Sequence, residues 1–332
     1  MIGILGSGSW ATAVVKILME QPDQQICWYV REPEIRDSLS NYGRNYRYLP
    51  EVELNPQHLT LCATAQEVLE QCQRVYLVIP TAYLHGTLQK VDPALLRQRQ
   101  LVSAIKGFVP ETGEIVTDYL QHTYNVSLEN LAVISGPTHA EEVARERLTF
   151  ITAASHNGPL AAEVRQQMRC QYINATSSAN MEAIQYATAL KNIYALAAGV
   201  CVGMGGGDNL LAVLVSYCAA EMSHFLQHVL PGHTVSLDAS SLPPYLGDLL
   251  VTCYSQFSRN RTFGTMIGRG YSVHSAQLEL GMVAEGYYAV RSLEQIRQRL
   301  GLEMPIAQAA YLVLYEQAKP DVLLRAWQIY RK

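Results

Sequence analysis

The sequence predicts an α/β N-terminal domain on a mostly parallel, doubly wound sheet, followed by an all-α C-terminal domain. Three observations carry that expectation. Short apolar runs alternate with helical patterns through the first half, as βαβ units require. A pair of glycines, Gly6 and Gly8, separates the first apolar run from the first helical pattern. Beyond about Asn180 strand-like runs nearly vanish and helical periodicity takes over. The boundary divides the chain into 1–179 and 180–332; with no flexible linker there, tight packing of the halves is expected.

The elements follow in order. Residues 2–5 read as the first strand and 10–20 as the first helix. Residues 25–30 give the second strand, 66–71 a helix, and 75–79 the third clear strand. A strand at 101–104 precedes a helix near 114–122, and 131–134 and 150–153 complete the apolar strand runs. A helix at 160–168 and a short run at 171–173 end this layer. Residues 181–202 form a long apolar helix. Asp208-Asn209 can cap the next one, 210–229, because their side chains accept from the orphan N–H groups of a first turn. Helical patterns recur at 246–255, 275–280, 284–300 and 305–315, and the Pro/Ser-rich 231–244 is a loop.

Composition narrows the function. At 332 residues the chain has ample core without a disulfide or metal staple. Hydrophobic residues make up 49%, which excludes a disordered chain. Charged residues make up 16%, well under the ~25% of an average domain, so much surface is expected to be buried between domains or in a homodimer. A net charge of −4 gives no sign of nucleic acid or anionic membrane as partner. Seven cysteines without a C-x-x-C pair point to a reducing compartment, and no signal peptide is evident, so the cytoplasm is expected. The apolar stretch 187–215 is broken by Lys191 and a glycine cluster, which suggests two buried core helices rather than a membrane span. The nine histidines lack H-x-x-H or H-E-x-x-H spacing, so no metal is expected. Twenty tyrosines against five phenylalanines suggest half-buried helix faces and interfaces.

Gly6-Ser7-Gly8-Ser9-Trp10-Ala11 fits G-x-G-x-x-A in a strand–turn–helix context. The first glycine allows the tight turn, the second admits a pyrophosphate, and Ala11 keeps helix and strand close, as in a Rossmann dinucleotide site. Arg31 and Glu32 end the second strand. Arg31 is a cation where a 2′-phosphate would sit and tilts the cofactor toward NADP; Glu32 could instead accept a ribose hydroxyl, leaving NAD open.

Further motifs run in order along the chain: Tyr48-Leu49-Pro50, Lys106-Gly107, Ser135-Gly136-Pro137-Thr138-His139-Ala140-Glu141-Glu142-Val143-Ala144, Leu190-Lys191-Asn192 and Gly207-Asp208-Asn209. After these come Gly247-Asp248-Leu249 with Thr252-Cys253, Ser258-Arg259-Asn260-Arg261, and Glu285-Gly286. Over nearly the whole chain these segments are similar to those of the bacterial NAD(P)-dependent glycerol-3-phosphate dehydrogenases. The resemblance implies reversible reduction of dihydroxyacetone phosphate to sn-glycerol 3-phosphate, feeding glycerophospholipid synthesis, in a cleft between the domains.

Reducing a ketone needs a hydride and a proton, and an amine of lowered pKa can deliver the proton. The resemblance makes Lys191 that proton donor and acceptor. Lys106 would depress its pKa and help hold the carbonyl oxygen, and Asp248 would stand beside the lysine and the substrate hydroxyls. Asp248 and Thr252, i and i+4, share one helical face and can meet one ligand. The resemblance also places Gly136, Thr138 and Asn192 on the substrate. Ser258, Arg259 and Asn260 would grip its phosphate, where an arginine fork binds two oxygens. Ala140, Arg259, Glu285 and Lys106 would join Gly6, Gly8, Ser9, Trp10, Ala11 and Arg31 around the cofactor.

The chain also departs from the family pattern. Tyr217-Cys218 stand ahead of Glu221 where the family has Arg-Gly, and His139 replaces its usual Phe. Ser241-Leu242-Pro243-Pro244-Tyr245-Leu246 replaces a glycine-rich run. These changes keep two alternatives open, a two-domain reductase of another small hydroxy acid or phosphate and an NADP(H) sensor without turnover. A sensor needs no proton donor, which favours the enzyme.

Overall fold

The structure is a computed structural model that describes residues 1–232 and 242–326. Residues 233–241 of the expected 231–244 loop, Ser241 included, lie outside the described residues. Two compact units are present: Met1–Ile105 with Val116–Glu182, and Lys106–Ile115 with Ala183–Lys332.

The first unit is an eight-stranded sheet: β1 (Ile2–Leu5), β2 (Ile26–Tyr29), β3 (Leu59–Cys62), β4 (Arg74–Leu77), β5 (Gln100–Ser103), β6 (Leu131–Ser135), β7 (Thr149–Ala154) and β8 (Ile173–Ser178). Their order is β3-β2-β1-β4-β5-β6-β7-β8, and every pairing is parallel except β6 with β7. Chain order reverses beside β1, which makes its carboxyl end the switch point of a doubly wound sheet. The helices are α1 (Ser9–Met19), α2 (Pro33–Tyr42), α3 (Ala65–Gln71), α4 (Thr81–Leu88), α5 (Pro93–Gln98), α6 (Val116–Tyr124), α7 (Ala140–Ala144) and α8 (Gly158–Met168). Strand alternation covers both faces. Ile2 and Ile4 join a core with α1 and α8, while Gly3 faces Val68 of α3 and Cys72 at its C-cap.

The sequence reading misses β3, and its short run at 171–173 meets β8 only at Ile173. These are the two edge strands. Thr60, Asn174 and Ser177 are exposed polar residues within these edge strands, so neither strand carries a continuous apolar run. Helices α2, α4, α5 and α7 were also not foreseen.

The helical part holds α9 (Met181–Gly203), α10 (Asp208–Val229), α11 (Asp248–Tyr254), α12 (Arg259–Gly268), α13 (Val273–Leu280), α14 (Glu285–Leu300), α15 (Pro305–Tyr315) and α16 (Val322–Ala326). Helix α9 is buried nearly along its length. Helix α10 corrects two expectations. Its N-cap is Gly207, and no side chain caps it; Asp208 is already helical and opposes the positive end of the dipole instead. It is also not wholly a core helix. By length and composition it could cross a membrane, and 44% of its most apolar window is buried. Its buried face carries Glu221, whose carboxylate accepts the N–H groups of Ile306 (2.9 Å) and Ala307 (3.0 Å) and so caps α15.

Helix α12 has no counterpart among the expected helical patterns. Ser258 is its N-cap, with Oγ accepting from Arg261 N at 3.3 Å. The helix expected at 246–255 is split. Pro243–Gly247 make a π-helical turn with the prolines at its start, and α11 begins at Asp248. Proline suits a first turn, where its missing N–H would have no helical partner.

Candidate active site

At the carboxyl end of β1 the glycine loop is tightly held. Gly6 has φ +123°, and a Cβ there would stand 2.3 Å from Val78 O, so only glycine fits. Trp28 Nε1 donates to Gly6 O (2.6 Å), and Asn45 Nδ2 donates to Ser7 O (2.8 Å) and to Thr12 Oγ1 (2.8 Å). Ser9 Oγ donates to Tyr48 O at 2.8 Å, tying the Tyr48-Leu49-Pro50 segment to the loop. A Cβ on Gly8 would meet nothing within 4 Å. No side chain caps α1, and its first turn has no acidic residue. Open space in front of uncapped helix N–H groups fits a pyrophosphate. Ala11 is buried in the first turn of α1, and Trp10 beside it is half-buried.

Beyond β2, Glu32 accepts from Ser7 Oγ (2.8 Å) and Arg31 Nη2 (2.8 Å). Burial raises the Glu32 carboxyl, but the Ser7 and Arg31 bonds outweigh it and hold it below the usual range. The exposed Arg31 guanidinium lies 5.9 Å from the Tyr83 ring centroid. An open cavity of about 710 Å³ is lined here by Tyr29, Arg31, Thr64, Glu67, Tyr83 and Lys90. The first unit also holds Gly136, Thr138 and Ala140. Gly136 has φ +139° against Phe150 O, and Ala140 is buried in α7, which packs on α1. Thr138 Oγ1 donates to Gly136 O at 3.1 Å.

The second unit holds the titratable cluster. Lys191 on α9 and Asp248 on α11 form a buried ion pair, at 3% and 0% exposure. Burial pulls the Lys191 ammonium down, Asp248 pulls it back up, and Lys106 lowers it further; the balance is about 7. Lys106 is half-buried at the head of the Lys106–Ile115 segment. Asn192 Nδ2 donates to Lys106 O at 2.8 Å. Thr252 shares the face of Asp248, but its hydroxyl donates to Asp248 O (2.6 Å) and can offer a ligand only lone pairs. Buried Cys253 beside the pair has its thiol pushed up to about 12 by burial.

The Ser258-Arg259-Asn260 segment is the first turn of α12, whose N–H groups suit an anion. Arg259 is exposed, with Nη1 3.5 Å from Val283 O. Asn260 Oδ1 accepts from Gly286 N at 2.9 Å, which ties α12 to the start of α14, where Glu285 stands half-buried. Among the described residues no group of three His, Cys, Asp or Glu could hold a metal ion.

Trp28 and Asn45, which fix the glycine loop, were not singled out from the sequence. Trp28 reads there as an apolar strand residue, and Asn45 lies outside the Tyr48-Leu49-Pro50 segment that follows it. Their contacts are long-range and leave no periodic signal.

Comparison with known proteins gives consistent matches. The family model described as the NAD-dependent glycerol-3-phosphate dehydrogenase N-terminus matches residues 1–161, and the C-terminus model of that family matches 180–325. The chain is 32% identical over 330 residues to a glycerol-3-phosphate dehydrogenase [NAD(P)+] of Chlorobium limicola, covering 98% of this chain and 97% of that protein. It is 35% identical over 324 residues to one from Syntrophomonas wolfei, covering 96% and 91%. Among solved structures it is similar to the crystal structure of glycerol-3-phosphate dehydrogenase from Coxiella burnetii, at TM-score 0.87 and 27% identity, covering 100% of this chain and 98% of that one.

Proposed function

The chain belongs to the NAD-dependent glycerol-3-phosphate dehydrogenase family, and on that premise we propose that it reduces dihydroxyacetone phosphate reversibly to sn-glycerol 3-phosphate. It is an oxidoreductase that takes NAD or NADP. Residues 1–179 chiefly serve the dinucleotide and 180–332 chiefly the substrate, with Lys106, Gly136 and Thr138 reaching the substrate and Arg259 and Glu285 the cofactor. When bound, the nicotinamide supplies the hydride in reduction and takes it back in oxidation.

The observation that carries this reading is the buried Lys191–Asp248 pair, with Lys191 poised at about 7. Lys191 Nζ gives its proton to the carbonyl oxygen in reduction and removes it from the hydroxyl in oxidation. A group of that pKa serves both directions near neutral pH. Asp248 orients the ammonium and faces the substrate hydroxyls. Lys106 lowers the pKa of Lys191 and helps hold the oxygen. Asn192, Thr252, Thr138 and Gly136 surround the small substrate, and Ser258, Arg259 and Asn260 hold its phosphate at the α12 N-terminus. Gly6, Gly8, Ser9, Trp10, Ala11, Arg31, Ala140 and Glu285 serve the cofactor, with Lys106 and Arg259 reaching it too. NADP is favoured, because Arg31 is an exposed cation while Glu32 already accepts from Ser7 and Arg31. Seven free cysteines suit the reducing cytoplasm.

The experiment is NADPH oxidation with dihydroxyacetone phosphate, set against unphosphorylated dihydroxyacetone. The phosphorylated ketone should be strongly preferred, Arg259→Ala should raise its KM, and inorganic phosphate should compete with it. Equal turnover of both ketones, with KM indifferent to Arg259→Ala, would remove the phosphate from the reading.

A further inference from the structure

Asn192 is one residue beyond Lys191 on α9 and is 4% exposed. Its side-chain amide donates to the main-chain carbonyl of Lys106 at 2.8 Å. That carbonyl belongs to the residue whose ammonium acts on Lys191, so the bond fixes the backbone from which the Lys106 side chain springs.

The segment so gripped is a short closed excursion between β5 and α6 in sequence. Val109 N donates to Glu114 O (2.8 Å), Gly113 N donates to Val109 O (2.7 Å), and Phe108 bridges to Ile115. Its other anchor on α9 is the Phe108 ring, 6.1 Å from that of Tyr186. Asn192 is itself immobilised. A Cβ on Gly286 would stand 2.5 Å from Asn192 O and 3.0 Å from Asn260 Oδ1, so the start of α14 presses on α9 at this residue.

We propose that Asn192 is a positioning residue whose bond to the Lys106 carbonyl holds the Lys106 ammonium beside Lys191. The inference rests on the reading of Lys191 as the proton donor and acceptor. Among the described residues the charged groups that act on Lys191 are Asp248 from α11 and Lys106 from the excursion, and Arg261 from α12 and Lys191 both act on neighbouring Cys253. Of the two that act on Lys191, Lys106 is the cation, so loosening it lets Lys191 bind its proton more tightly.

The test is Asn192→Ala in the full chain, alone and with Lys106→Ala. Asn192→Ala should lower kcat by up to about 100-fold, as misplacement of a group in the site does. The pH midpoint of kcat/KM for glycerol 3-phosphate oxidation should move up from about 7. In the Lys106→Ala background the same change should add no further shift, because both act through one interaction. Hydrogen exchange over residues 106–115 should quicken in Asn192→Ala. A residue that only gripped substrate would raise KM and leave the midpoint in place, and that result overturns the proposal. So do independent shifts that add in the double variant, or unchanged exchange over 106–115. If the parent fails to turn over dihydroxyacetone phosphate, the functional reading falls, while the exchange experiment still decides whether Asn192 holds the 106–115 excursion. Should Asn192→Ala not fold, Asn192→Ser supplies the same readings.

Discussion

Lys191 shows how a single residue acquires its chemistry. In solution a lysine amine titrates near 10.4 and is a poor proton acceptor at neutral pH. Burial in α9 disfavours its charge, and the balance with Asp248 and Lys106 brings it to about 7. Two expectations follow. Lys191→Ala should lower kcat by about 10²–10⁴-fold, the usual worth of acid–base catalysis, while NADPH affinity by fluorescence titration stays nearly unchanged. Lys191→Arg should not rescue it, because a guanidinium keeps its proton. A variant that folds, binds NADPH and keeps more than about a tenth of parental kcat would move the role to Lys106. The pH dependence has a definite sign. Oxidation needs neutral Lys191, so kcat/KM should rise through about pH 7; reduction needs the protonated form and should fall above it. Asp248→Asn removes the group that raises this pKa, so both midpoints should move to lower pH. A midpoint that stays fixed in Asp248→Asn would show that the titrating group is not Lys191. At this scale the residue types were legible, since Lys191, Asp248 and Lys106 stand in recognisable segments. That the Thr138 and Thr252 hydroxyls donate to main-chain oxygens was not legible, because a sequence does not say where a hydroxyl points.

Two helices that carry site residues meet through glycine. Gly199 and Gly203 on α9 face Gly264 and Gly268 on α12, four residues apart on each helix. A Cβ on Gly264 would stand 2.0 Å from Leu196 O, and one on Gly199 would stand 2.1 Å from Arg261 O. The backbones touch because no side chain intervenes. Alanine for glycine inside a helix normally stabilises by up to about 1 kcal/mol. Here the sign should reverse: Gly264→Ala must push α12 off α9, costing roughly 1–3 kcal/mol or more. Thermal unfolding should show a lowered Tm, and steady-state kinetics an impaired phosphate site, because Ser258, Arg259 and Asn260 ride on α12. An unchanged or higher Tm would refute the close crossing. Long periodic helices such as α9, α14 and α15 were legible. Helix α12 was not, because its first turn is the polar Arg259-Asn260-Arg261-Thr262 and its short apolar face pairs Phe263 and Ile267 with glycine.

For the whole molecule, cofactor choice can be read as stability. A ligand that binds only the folded chain stabilises it by about 2.7 kcal/mol at a hundred times its Kd. At equal concentration NADPH should therefore raise Tm more than NADH does. Arg31→Asp should erase that difference by removing the exposed cation and adding repulsion. Equal Tm gains from both cofactors in the parent would show that Arg31 does not discriminate between them. The sequence by itself determined the doubly wound sheet, the glycine loop at its first strand, the helical second half and the lysine and arginine segments. Each of these is written locally, as a periodicity, a turn residue or a short ordered motif. Only the tertiary structure decided the edge strands, the grip of Trp28 and Asn45 on the glycine loop, the glycine crossing of α9 and α12, and the packing of Lys106–Ile115 with the helical unit. Those depend on contacts between residues tens of positions apart. Burial and backbone approach, rather than local propensity, set their geometry and with it the pKa of Lys191.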